Sequence, residues 1–166
     1  MVLTLVCMAY PALLIYAALH DVATMTIPNW VSVSLGAAFI PAAVAMGLSP
    51  SDVGAHIAIA AIALLICVGL FSFNIIGGGD AKVIAATVLW VGASGLEDFL
   101  LITAVAGGAL ALILVLLRRS GLKSSRVWAR RLLSPNEGAP YAVAIAIGAL
   151  FAVPASPLLA EGLTRF

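Results

Sequence analysis

From Phe99 to Leu117 no side chain carries a charge, and from Val53 to Phe73 the only Asp, Glu, Lys, Arg or His is His56. Runs of this kind narrow the choice of solvent. A bilayer crossing takes about 20 mostly apolar residues in a helix, within a range of about 17–25. Inside hydrocarbon, only elements that satisfy their own backbone groups persist. Similar runs recur, so the chain is predicted to be all-α and polytopic, with about six transmembrane helices at roughly 2–20, 30–48, 53–73, 80–96, 97–117 and 139–158. Composition agrees. The 166 residues are 64% hydrophobic and 9% charged, against about 45–50% and about 25% in soluble domains. One membrane-embedded domain over 1–166 is expected. The segment 2–20 lacks a basic start and is read as a first span, not a removable signal. Cys7 and Cys67 fall inside apolar runs and are expected as small core residues.

The net charge of +1 gives no nucleic-acid signal, but its distribution is informative. Six of the eight Lys and Arg lie between the fifth and sixth spans: Arg118, Arg119, Lys123, Arg126, Arg130 and Arg131. The positive-inside rule makes this loop cytoplasmic. The region 118–134 is expected as a basic loop or an interfacial helix on the anionic inner leaflet. Span parity then puts the loops at His20–Asn29 and Asn74–Asp80 on the cytoplasmic side and both chain ends outside.

Seven carboxylates remain to be placed. Asp52, Glu97, Asp98 and Glu161 are expected outside and solvated, and Glu137 solvated in the cytoplasmic loop. Asp21 and Asp80 differ, because each abuts an apolar run at the same membrane edge. An ionisable group at that depth is a functional candidate by default. The structural alternative for Asp80 is an ordinary helix N-cap. Gly77-Gly78-Gly79 stands immediately before it. Three glycines allow dihedrals closed to other residues and a close approach of backbone, so the joint is expected to border a wet cavity. In the other loop, Pro28 restricts Ile27 to extended conformations and Asn29 is expected to cap the next helix. Lys82 is read as an interfacial anchor or as a charge acting on Asp80; His20 either tunes Asp21 or is a plain interfacial histidine.

Two carboxylates close together in a low-dielectric pocket do not both ionise easily, so such a pair shares a proton. One member can activate water while the other protonates a carbonyl, which is peptide hydrolysis without a metal or covalent intermediate. The sequence puts Asp21 and Asp80 on one side; it does not bring them together.

Asp-x5-Ile-Pro-Asn (Asp21 to Asn29), followed by Gly-x-Gly-Asp-x-Lys (Gly77 to Lys82), resembles the type IV prepilin peptidases, membrane aspartyl proteases of the GxGD type. The stretch Pro140 to Ala146 is similar to that family's last helix. The resemblance implies Asp21 and Asp80 as the catalytic pair. It implies Gly77, Gly78, Gly79, Lys82, Ile27, Pro28 and Asn29 as substrate-binding or site-shaping residues. It also implies no metal and no cofactor. The partner implied is the short basic leader of a pilin-like precursor with its adjoining helix, cut at the cytoplasmic face of a bacterial inner membrane. The chain's size resembles the compact form found with tight-adherence (Flp) pili. Two departures stand out. Val22 to Thr26 lacks the basic residues common there, and the paired cysteines associated with N-methylation are missing.

Two rivals belong to other classes. A metalloenzyme would have to gather His20, His56, Asp21 and Asp80, yet the topology places His56 near the outer face, about 25 Å from the inner loops at 1.5 Å per helical residue. A small transporter or channel would use the pair as a proton or cation site, but matched interrupted segments in two halves are missing.

Overall fold

The computed structural model describes residues 2–122, 124–135 and 137–164, and among them every regular element is helical. Five long helices follow the first five predicted spans: α1 (Val2–Thr24), α2 (Asn29–Ala45), α3 (Pro50–Ser72), α4 (Gly78–Val91) and α5 (Leu96–Arg119). The largest shift is at the end of α4, predicted at residue 96. Gly92 stops it earlier with φ +67°, a conformation that side chains rarely adopt. A Cβ there would also strike the His56 ring, 2.5 Å from Cε1.

The sixth predicted span needs correction. The stretch 139–158 is not one helix but α7 (Ala142–Phe151) followed by a 3-10 turn at Val153–Ala155, with α8 (Pro157–Thr164) beyond it. Pro154 and Pro157 each lack the N–H that a continuous helix would need. In the basic region 118–134, Arg118 and Arg119 end α5 and Val127–Leu133 form the short helix α6. Lys123 lies outside the described residues, as does the side chain of Cys7. Asp52 does more than meet solvent. It completes a capping box with Ser49 at the start of α3, accepting from the Ser49 N–H at 3.3 Å.

Helices α1, α2, α4 and α7 close into a ring, α1 packing on α2 and α7, and α4 packing on the same two. Tyr10, Leu14, Phe39, Trp90 and Ile145 fill its centre and are fully buried. Polar atoms in that dry core need partners. Trp90 Nε1 donates to the Leu35 carbonyl at 2.8 Å, and the Tyr10 hydroxyl donates to the Ala149 carbonyl at 3.3 Å. Cys67 is buried as expected.

Helix α3 lies outside the ring against α4, and α5 outside it against α7. Of the 23 residues of α3 only Cys67 is buried, whereas Leu65 is 72% exposed and Ile66 60%. A continuous apolar face of this size is untenable in water and ordinary in lipid. Both α3 and α5 are long and apolar enough to cross a bilayer.

Candidate active site

Asp21 sits in the last turn of α1 and is only 6% exposed. Its Oδ2 accepts the backbone N–H of Ala142 at 3.1 Å. Ala142 is the first residue of α7, where unpaired N–H groups and the helix dipole favour an anion. The chain leaves α1 through Met25, a left-handed residue (φ 57°) whose N–H closes on the Asp21 carbonyl at 2.7 Å. His20 braces the turn that follows. Its Nδ1 lies 2.8 Å from the Thr26 carbonyl, which can only accept, so Nδ1 carries the proton and donates.

Pro28 precedes α2 in an extended conformation (ψ 135°) and is itself the N-cap residue; no side chain caps this helix. The expected capping by Asn29 therefore does not occur. Asn29 is the first helical residue, and its Oδ1 accepts from Lys82 Nζ at 2.8 Å. That bond joins the two motifs. The Lys82 ammonium is thus held on a side chain of the other motif.

Asp80 is the third residue of α4, with Gly77 in the N-cap position. It is thus not the N-cap, and its carboxylate reaches back to the Gly77 N–H. None of the three glycines has positive φ: Gly77 is extended at φ −72°, and Gly78 and Gly79 open the helix. Conformational freedom does not explain them; the missing Cβ does. A Cβ on Gly77 would stand 2.8 Å from Asp80 Oδ2, one on Gly78 3.3 Å from the Phe71 ring, and one on Gly79 3.2 Å from Ile27 Cβ. Gly79 therefore lets the start of α4 settle onto the Ile-Pro-Asn loop, and Gly77 leaves room for the Asp80 carboxylate itself.

The two motifs face one another across a cavity of about 310 Å³ whose lining includes Asp21, Ile27, Asn29, Gly77, Gly79 and Asp80. A second cavity of about 710 Å³ shares Asp21 and Asp80 and is walled further by Phe71, Ile84, Glu137 and Tyr141. One carboxylate from α1 and one from α4 thus open into common space. At the other end of the bundle, a cavity of about 520 Å³ is lined by Asp52 and His56, with His56 Nδ1 2.8 Å from the Leu89 carbonyl. His20 and His56 are therefore at opposite ends. Among the described residues no cluster of three or more His, Cys, Asp or Glu forms.

Sequence reasoning missed the Ala142 N–H, Tyr141 and the placement of Glu137 on the cavity wall. The signal for the first lay in Pro140, because a proline just before an apolar run marks a helix start and hence a set of free donors.

The profile of the type IV leader peptidase family matches residues 8–112, a stretch that holds both motifs. No curated protein and no solved structure matches the chain.

Proposed function

The chain belongs to the type IV leader peptidase family, and from that premise we propose that it is an aspartyl endopeptidase acting at the cytoplasmic face of the membrane. Its substrate is the N-terminal leader of a type IV pilin-like precursor. Asp21 and Asp80 activate the water. The observation that carries this reading is that both motif carboxylates open into the same cavity at one end of the bundle.

In this reading the pair shares one proton. Each carboxylate accepts one backbone N–H, Asp21 from Ala142 and Asp80 from Gly77; in this reading the shared proton rests on Asp80 at the start of the cycle. Asp21 takes a proton from water, and the hydroxide oxygen bonds to the scissile carbonyl carbon. Asp80 gives its proton to the carbonyl oxygen. The tetrahedral intermediate then collapses: one of its hydroxyls returns a proton to Asp80 as the C=O re-forms, the C–N bond breaks, and the leaving amine takes the proton held by Asp21. Atoms and charge balance with no further reactant. Purified enzyme is expected to cut a pilin-like precursor at its leader junction and to keep its full rate after treatment with strong chelators. A loss of activity restored by zinc would overturn the two-carboxylate mechanism.

Orientation follows from the basic region. Arg131 donates to the Thr24 carbonyl at 3.3 Å and Arg118 to the Gly138 carbonyl at 2.7 Å, which supports placing that region at the same end as the cavity. With the positive-inside rule, this end is cytoplasmic, in a single membrane domain over 1–166 with about six crossings. Cysteines introduced at Thr24 and Ser124 are expected to resist an impermeant thiol reagent in intact cells, while one at Ser51 reacts. Labelling of either of the first two from outside would reverse the orientation.

A further inference from the structure

Lysine can only donate hydrogen bonds. The 2.8 Å contact between Lys82 Nζ and Asn29 therefore fixes which end of the Asn29 carboxamide faces it, namely Oδ1. The amide nitrogen lies on the opposite side of Cγ. Among the described residues Nδ2 has no hydrogen-bond partner, yet Asn29 lines the cavity that contains Asp21 and Asp80. Lys82 lines neither cavity of the pair. It stands two residues beyond Asp80, about 200° further round the helix.

These placements divide the work. We propose that Lys82 locks the Asn29 carboxamide so that its N–H2 group faces the cavity and donates to a backbone carbonyl of the bound substrate. The inference rests on the peptidase reading above. Asn29 is then a substrate-binding residue and Lys82 a positioning residue. An extended peptide crossing the cavity offers carbonyl oxygens and no side-chain requirement at that point. A fixed amide donor therefore registers the backbone against the carboxylate pair whatever the local sequence. Without Lys82 the amide would be free to flip and present its oxygen instead, placing acceptor against acceptor.

The decisive variant is Asn29→Asp. It keeps an acceptor for Lys82, now as an ion pair, and removes the N–H2. Expected is a rise in KM of about tenfold, the scale of one lost hydrogen bond, with thermal stability at least that of the wild type. A wild-type KM in Asn29→Asp would overturn the proposal, leaving the bond as a mere strut. Lys82→Met is expected to raise KM in the same direction and to leave the pH profile of kcat where it was. A shifted profile would instead make Lys82 an electrostatic partner of Asp80 and overturn its positioning role. In an Asn29→Leu background, Lys82→Met should add nothing; a full additive effect would also separate the two residues. Failure of the wild type to cleave any pilin-like precursor would count against the peptidase reading itself. Normal cleavage by the wild type with an indifferent Asn29→Asp would count against this inference alone.

Discussion

Replacing either Asp21 or Asp80 with asparagine is expected to lower leader cleavage about 10³-fold or more, the range in which general acid–base groups act, with insertion and thermal stability nearly unchanged. Asparagine keeps the shape of aspartate. At position 21 its Oδ1 can still accept the Ala142 N–H now made at 3.1 Å. At position 80 it can still reach back to the Gly77 N–H as the third residue of α4. A purely structural role at either site would therefore survive the change. What asparagine cannot do is take or give the proton. Residues acting as one unit lose activity non-additively, so Asp21→Asn combined with Asp80→Asn should be no slower than either alone. Asp98→Asn, in the first turn of α5, is the control and should cleave normally. Wild-type rates from either Asp21→Asn or Asp80→Asn would remove the dyad and restore the transporter reading.

Hydropathy made the first five helices legible because the free energy of placing a residue in lipid is a local property of that residue. It failed at the sixth span for an equally local reason that hydropathy does not weigh. Pro154 and Pro157 are apolar enough for lipid but lack the donors that a continuous helix requires. The two aspartates stood out because a carboxylate against an apolar run is costly wherever the chain then goes. Their partners were not legible, since Ala142 is 121 residues from Asp21 and Lys82 is 53 from Asn29. Nothing in one sequence states which helix start faces which helix end. Of the two properties expected of the glycines, close approach is the one the fold uses and positive φ is not. Backbone freedom can be read from residue type alone, whereas the room left by a missing Cβ depends on what packs against it.

That distinction gives the second large effect, a contrast between two Gly→Ala substitutions. Gly77 holds φ −72° and ψ 146°, which alanine adopts without strain. The only close neighbour of its new Cβ is the Asp80 carboxylate, with Oδ2 at 2.8 Å. The end of a short side chain can swing away, so the fold absorbs the methyl and the carboxylate loses its place. Gly77→Ala is expected to reduce kcat about 10²-fold, the scale set by roughly 1 Å of misplacement. It should cost about 1 kcal/mol or less of stability, from exchanging glycine for alanine at an N-cap. Gly148 on α7 is the opposite case. Its Cβ would meet Thr103 Oγ1 and, behind it, backbone: the Phe99 carbonyl oxygen at 2.8 Å and the Thr103 nitrogen at 2.9 Å. Backbone inside a helix cannot turn aside, so α5 and α7 must separate. Overpacking of this kind costs about 1–3 kcal/mol or more, and small residues are what permit such close helix contacts in lipid. Gly148→Ala should therefore lower the unfolding temperature first and lose activity in proportion to the fold it loses. Wild-type cleavage by Gly77→Ala would show that the carboxylate works from another orientation. A stable, active Gly148→Ala would show that α5 and α7 stand further apart in the bilayer. Equal losses of stability in the two variants would mean that the glycines before Asp80 serve packing alone.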